Sequence, residues 1–364
     1  MFSSFAQWVS AHKVISILAG AVLVLGIGTG IFMAANASTG ATTTTSEPST
    51  TTAPSTTLAP TTSAAPTTTV ASTVSPINGM PVDDSSLLDR RLLAVKVDNH
   101  PLARPQSGIN LADMVFEIRV EGITRFLTLW MQSDAEFLGP MRSGRPTDAT
   151  LLSALNTPTF AISGAQGWVQ SMITSMGINL LTETTPAAFR VDFRNAPHNL
   201  YTTTAGLRAD ADARGYEDLP PTGPIWEFGA MPADAAPASA VHIDFLGAGV
   251  DWTWDEVTAT WLRSADGTES NWRDEDETQG RIGFPVLIGL VSGQYSNNGL
   301  PSSHTTGTGQ AWVFADGKVV EGTWTRETET EWYTLTDADG NTIAVPPGQT
   351  WISLVPDSGG LTYE

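Results

Sequence analysis

From Val14 to Ala35 the chain is almost uninterruptedly apolar, with His12 and Lys13 before it and a tract of Thr, Ser, Pro and Ala behind it. A helix needs about twenty such residues to cross a hydrocarbon core of ~30 Å, whereas the apolar centre of a cleavable signal needs only ~7 to 15. The run therefore predicts a single transmembrane helix over residues 14–35. Lys13 precedes it and no Lys or Arg follows until Arg90. The positive-inside bias then leaves residues 1–13 as a cytoplasmic stub and sends everything beyond the helix outside. A competing reading is cleavage and secretion, because Ala35-Asn36-Ala37 has the small-x-small form that signal peptidase accepts. Both place the remaining chain in an extracytoplasmic setting.

Residues 36–75 hold one charge, Glu47, and few large apolar side chains, so they bury too little surface to offset chain entropy. They read as a disordered linker stiffened by proline, with or without sugar on its Thr and Ser hydroxyls. With 0 cysteines, the exported part has no disulfide, no thiolate metal site and no lipidated cysteine. A net charge of -20 argues against nucleic acid as a partner. The charge is uneven: residues 76–225 carry 12 basic against 16 acidic side chains, and residues 226–364 carry 5 against 21.

The run Leu92 to Asp98, stopped by Asn99-His100-Pro101, predicts a buried strand ending in a loop. Asp113 to Val120 and Thr124 to Trp130 alternate around Gly122 and predict a hairpin added to it. A helix follows from Asp148, a strand from Thr159, and a second helix from Gln166 stopped by Gly177. After Trp226 the texture becomes short tryptophan-rich strands, with Asp-Gly turns at 266, 316 and 339. Three prolines and a glycine within Pro220 to Pro224 mark a boundary. The expected fold is α+β, a mixed sheet with helices over residues 76–225, followed by a β-rich domain over 226–364.

Four clusters carry the polar chemistry of the first half: Asp98-Asn99-His100-Pro101-Leu102-Ala103-Arg104-Pro105-Gln106-Ser107-Gly108, Glu121-Gly122-Ile123-Thr124-Arg125-Phe126-Leu127, Gly139-Pro140-Met141-Arg142-Ser143-Gly144-Arg145-Pro146-Thr147-Asp148, and Ala196-Pro197-His198-Asn199-Leu200-Tyr201. Together with Gly307 to Ala311, Glu321 to Trp324 and Pro347 to Trp351, these strings resemble the YerB-like family of bacterial lipoproteins. The resemblance covers roughly residues 76–356 and implies an envelope location and a two-part plan. It implies no reaction. This chain departs from the family in lacking a lipidated cysteine, so the apolar helix has to serve as the anchor.

Planar guanidinium groups suit phosphate or carboxylate, and Arg142 and Arg145 fall in a loop that enters a helix. With Arg104 and Arg125 they could form an anion site. They could equally be structural pairs with Asp113, Glu117, Glu121 and Asp148. Asp98 with Asp113 and Asp148 could hold Mg²⁺ beside that anion, or simply cap loops. His100 and His198 sit beside prolines, with Asn199 next in line, a setting for acid/base work or for a hydrogen-bonded loop clasp. The histidines lack zinc spacing, and Asp274 to Glu277 reads as a solvated acidic turn rather than a calcium collector. Trp252, Trp254, Trp261 and Trp272 could stack on sugar or pack a core.

Two functions compete. One is a non-enzymatic module that binds an anionic ligand, an envelope polymer or a membrane protein through the arginine loop. The other is a Mg²⁺-dependent phosphotransferase or phosphohydrolase acting on a phosphorylated or diphosphate-linked envelope precursor. Here the order of Asp98, Arg104, Asp113, Arg142 and Arg145 is distantly similar to that of the LytR-CpsA-Psr phosphotransferases, a likeness that requires those side chains to converge.

Overall fold

The computed structural model describes residues 73–364, and the predicted spanning helix and almost all of the linker lie outside them. Among the described residues no helix is long and apolar enough to cross a membrane. The first strand, Leu93–Val97, is buried along its whole length, as its apolar run requires. It pairs antiparallel with Thr124–Trp130, which turns back on Met114–Arg119, so the expected hairpin is present in the expected place. On its other side the first strand runs parallel to Thr159–Ala161, and Asn179–Leu181 follows, also parallel. Helices Pro146–Leu152 and Gly167–Ser175 make the crossovers. A third, Thr204–Ala213, is capped by the Thr203 hydroxyl, which accepts from Gly206 N.

This sheet does not stop at the proline-rich segment. Thr350–Pro356 lies parallel to both Met114–Arg119 and Val286–Ser292, and beyond it come Gly307–Ala315, Lys318–Arg326 and Thr334–Thr336. The parts on either side of Pro220–Pro224 are thus halves of one sheet rather than two bodies. Thr350–Pro356 is paired on both edges and covered on both faces, Ile352 and Leu354 packing into one apolar cluster and Trp351 and Val355 into the other, which explains why it is buried without alternation.

Two apolar clusters fill the two faces. One joins Phe116, Leu127, Ile352 and Leu354 to the helix residues Leu151, Leu152, Val169 and Ile173. The other joins Val95, Phe126, Trp351 and Phe314 to a second sheet built from Ala240–Asp244, Gly249–Asp255, Thr260–Ala265 and Gly360–Tyr363. Trp351 is fully buried here, with Phe126, Trp252 and Phe284 at 5.0, 5.1 and 5.1 Å in edge-to-face geometry. Each such aromatic pair adds about 0.5–1.5 kcal/mol beyond the area it buries. Trp252 and Trp261 are core residues, not sugar platforms. The fold is a β-rich α+β structure with a mixed sheet as its spine.

Candidate functional site

Asp98 stands where the first strand ends, and it is completely buried. Its Oδ1 accepts from His100 N at 3.0 Å, and its Oδ2 lies 2.7 Å from His198 Nδ1. A carboxylate can only accept there, so Nδ1 carries the proton and Nε2 faces away from Asp98. The His100 ring stacks on His198, with centroids 4.5 Å apart and planes 17° from parallel. Arg142 Nε is 3.3 Å from the same Oδ2, an ion pair without hydrogen-bond geometry. Asp98, His100, Arg142 and His198, read separately from three loops, therefore meet at one point.

Backbone bonds hold those loops in place. Asp98 N donates to Pro140 O, Met141 N to Leu200 O, and Arg142 N to Lys96 O. Gly139 opens this stretch at φ 156°, where an added Cβ would sit 3.0 Å from Leu200 O and from the Tyr201 ring. Only glycine allows so close an approach with that backbone. Asn199 is a strut for the same loop: it accepts from Arg190 Nη1 at 2.7 Å and donates to Val191 O at 3.1 Å.

Arg125 and Arg145 lie on the other side of Arg142, gathered by Glu121. Arg145 donates to Glu121 Oε1 through Nε and Nη2 at 2.9 and 2.6 Å, and Arg125 Nη2 is 3.6 Å from Oε2. Burial opposes ionisation of Glu121, yet its own backbone N–H and the two guanidinium groups outweigh that and hold it below the usual range. Arg125 is disfavoured as a cation: burial, then the Arg145 charge, pull it down to about 10, and Arg142 adds to the repulsion. Three like charges share two carboxylates, Glu121 and Asp98, an arrangement that a further anion would relieve.

Asp148 has a different partner. Its Oδ1 takes Lys96 Nζ at 2.6 Å with both side chains fully buried, and its Oδ2 accepts Arg145 N at 2.7 Å. Burial pulls the Lys96 ammonium below its usual range, against the attraction of Asp148. This pair fixes both ends of the 142–148 loop, because Lys96 O also holds Arg142 N.

Arg104 does not join the arginine cluster. Its Nε donates to Asn99 Oδ1 at 3.0 Å and its Nη1 reaches Asp266 of the second half at 3.4 Å. Asp113 sits at the far end of the strands, where its Oδ2 accepts the backbone N–H groups of Met131, Gln132 and Ser133. Burial pushes its pKa up despite those bonds. Asp98, Asp113 and Asp148 are thus held in three separate networks, and among the described residues no group of three acidic or histidine ligands could hold a metal. Of the two readings the sequence left open for these aspartates, they follow the loop- and strand-end one, and with Arg104 and Asp113 apart from Arg142 and Arg145 the convergence that the likeness to the LytR-CpsA-Psr phosphotransferases requires is not formed. Glu117 also escapes the loop arginines: Arg263 takes it at 2.5 Å, with Thr124 and Trp351 as further donors.

Two important partners were not singled out in the sequence, Lys96 and Arg263. Lys96 did leave a signal. It is the one lysine among residues 76–225 and lies inside an apolar strand, where a charge must find a buried partner. Arg263 left none, because its partner is 146 residues away.

The model of "Protein of unknown function (DUF3048) N-terminal domain" matches residues 77–217, and that of "Protein of unknown function (DUF3048) C-terminal domain" matches residues 241–352. "Putative lipoprotein YerB" of Bacillus subtilis (strain 168) is 29% identical over 300 residues, spanning 78% of this chain and 86% of its own. The crystal structure of YerB protein from Bacillus subtilis superposes with a TM-score of 0.69 at 25% identity, covering 80% of this chain and 99% of that one. From both family models and the shared fold it follows that the chain belongs to the YerB-like family.

Proposed function

We propose that this is a membrane-tethered, extracytoplasmic binding protein of the cell envelope that holds a phosphate or carboxylate group at Arg142. One observation carries the reading. Among the described residues the Arg142 guanidinium makes a single ion pair, to Asp98, and no hydrogen bond, while its side chain is 24% exposed. Its forked donors are thus available beside Arg125 and the His100–His198 stack, and such a fork matches a tetrahedral or planar oxyanion. The tether is the apolar segment 14–35. A relative named a lipoprotein supports the envelope location, and this chain has no cysteine through which a lipid could be attached. The ligand would belong to an envelope polymer or to a membrane protein.

The test is a thermal-shift titration of residues 73–364 with pyrophosphate. At 100 times the dissociation constant a ligand adds about 2.7 kcal/mol of stability. A shift in the wild type that Arg142→Ala removes supports the site; equal shifts, or none, dismiss it.

A second reading is favoured by the Asp98–His198 bond. A carboxylate on Nδ1 orients the imidazole and leaves Nε2 to take a proton from water or a hydroxyl group, as a hydrolase acting on a phosphorylated envelope precursor needs. Release of phosphate from pyrophosphate, lost in His198→Gln but with binding retained, would select this reading.

A further inference from the structure

The second sheet covers only part of the spine. Its edge strand Gly360–Tyr363 ends over the Gly307–Ala315 and Lys318–Arg326 hairpin, leaving an open groove of about 500 Å³. That is within the ~300–1,000 Å³ of small-molecule sites. We propose that this groove is a binding subsite for neutral carbohydrate, separate from the arginine loop.

The floor is Trp312, 5% exposed, with its indole Nε1 buried beneath the groove surface. Glu321 stands directly across the strand pair from it. Tyr363 donates its hydroxyl to Glu321 Oε1 at 2.6 Å, and this bond keeps the phenol protonated above its usual range. Gln310, Asp357 and Thr362 complete the polar wall. Leu361 and Trp312 meet over Gly289, where a Cβ would come within 2.6 Å of the leucine methyl, so the apolar floor is closely packed.

The chemistry of this wall selects the class of ligand. Glu321 and Asp357 bring negative charge and no Lys or Arg lines the groove, so an anion would be repelled. An ammonium ligand would satisfy the carboxylates but offers no acceptor to the Gln310 amide N–H or the Thr362 hydroxyl. A sugar supplies both, since each hydroxyl donates to a carboxylate or amide oxygen and accepts from an amide N–H or a hydroxyl. Its C–H face would lie against the exposed Tyr363 ring. The groove is thus suited to an uncharged polyol, as the arginine loop is suited to an anion.

The experiment is a titration of the full chain in detergent with maltotriose, mannotriose and the N-acetylglucosamine trisaccharide, read by saturation-transfer NMR and tryptophan fluorescence. The expected result is saturable binding of at least one trisaccharide at up to roughly 10 mM. Glu321→Gln and Tyr363→Phe, both at the surface, should each weaken it by roughly threefold to tenfold. Gln310→Ala, which removes an exposed amide from the groove wall, should do the same. Arg142→Ala should leave it unchanged, so this site and the anion site fail or stand independently. Absence of saturation with all three sugars, or binding indifferent to all three groove substitutions, overturns the proposal.

Discussion

Glu117 and Asp98 are both fully buried carboxylates at the same end of the first half's strands, and they have opposite surroundings. Glu117 lies opposite Phe126 on one edge of its strand, and Val97, beside Asp98, lies opposite the same Phe126 on the other. Arg263 reaches Glu117 with Nη2 and Nε, while Thr124 and Trp351 donate to its remaining lone pairs. Arg263 in turn donates to Ser270 and lies 5.3 Å from the Phe126 centroid and 5.5 Å from that of Trp351. That constellation is closed, and it ties the two halves together. Asp98 is closed too, but the groups around it are not: Arg142 has only a loose ion pair, and His198 uses one ring nitrogen. A buried charge whose partners are all engaged is architecture, and one whose partners keep unused donors at the surface is a candidate site.

Breaking the closed pair should have the largest effect. Arg263→Met strands the Glu117 carboxylate and should cost about 3–5 kcal/mol in urea unfolding. Adding Glu117→Gln should recover much of that loss, since the uncompensated charge is then gone. Lys96→Met strands Asp148, which still accepts Arg145 N, and should cost roughly 3 kcal/mol by the same measurement. Arg142→Ala should lower stability by less than about 1 kcal/mol while abolishing the pyrophosphate-induced thermal shift. If it destabilised the chain as much as Arg263→Met does, the distinction between the two carboxylates would collapse. Arg104→Ala should have the smallest effect, about 0–0.5 kcal/mol, because its pair with Asp266 is half exposed.

Much of the fold was legible in local pattern. The apolar run before Asn99-His100-Pro101 gave the first strand, Gly122 gave the hairpin, and Gly177, with φ 78°, ended the second helix as a glycine at that position does. The shared sheet was not legible. Pro220 to Pro224 looks the same whether it joins two bodies or two halves of one, and the pairing of Met114–Arg119 with Thr350–Pro356 spans more than 230 residues. Neither strand's own pattern names its neighbour.

The candidate site divides in the same way. Residue type and loop setting were enough to nominate Asp98, His100, Arg142 and His198. Those sequence cues did not separate Arg104, which turns to Asn99 and Asp266, from Arg142, which turns to Asp98. They also did not show that Asp113 and Asp148 serve a strand end and a buried lysine.

What the sequence determined by itself is therefore local: where strands and turns fall, that the chain has no thiol chemistry, and that its basic side chains gather in one half and its acidic excess in the other. What only the tertiary structure decided is which charges meet. Strand and turn preferences come from neighbours along the chain, whereas a salt bridge or a shared site depends on a register set between strands hundreds of residues apart.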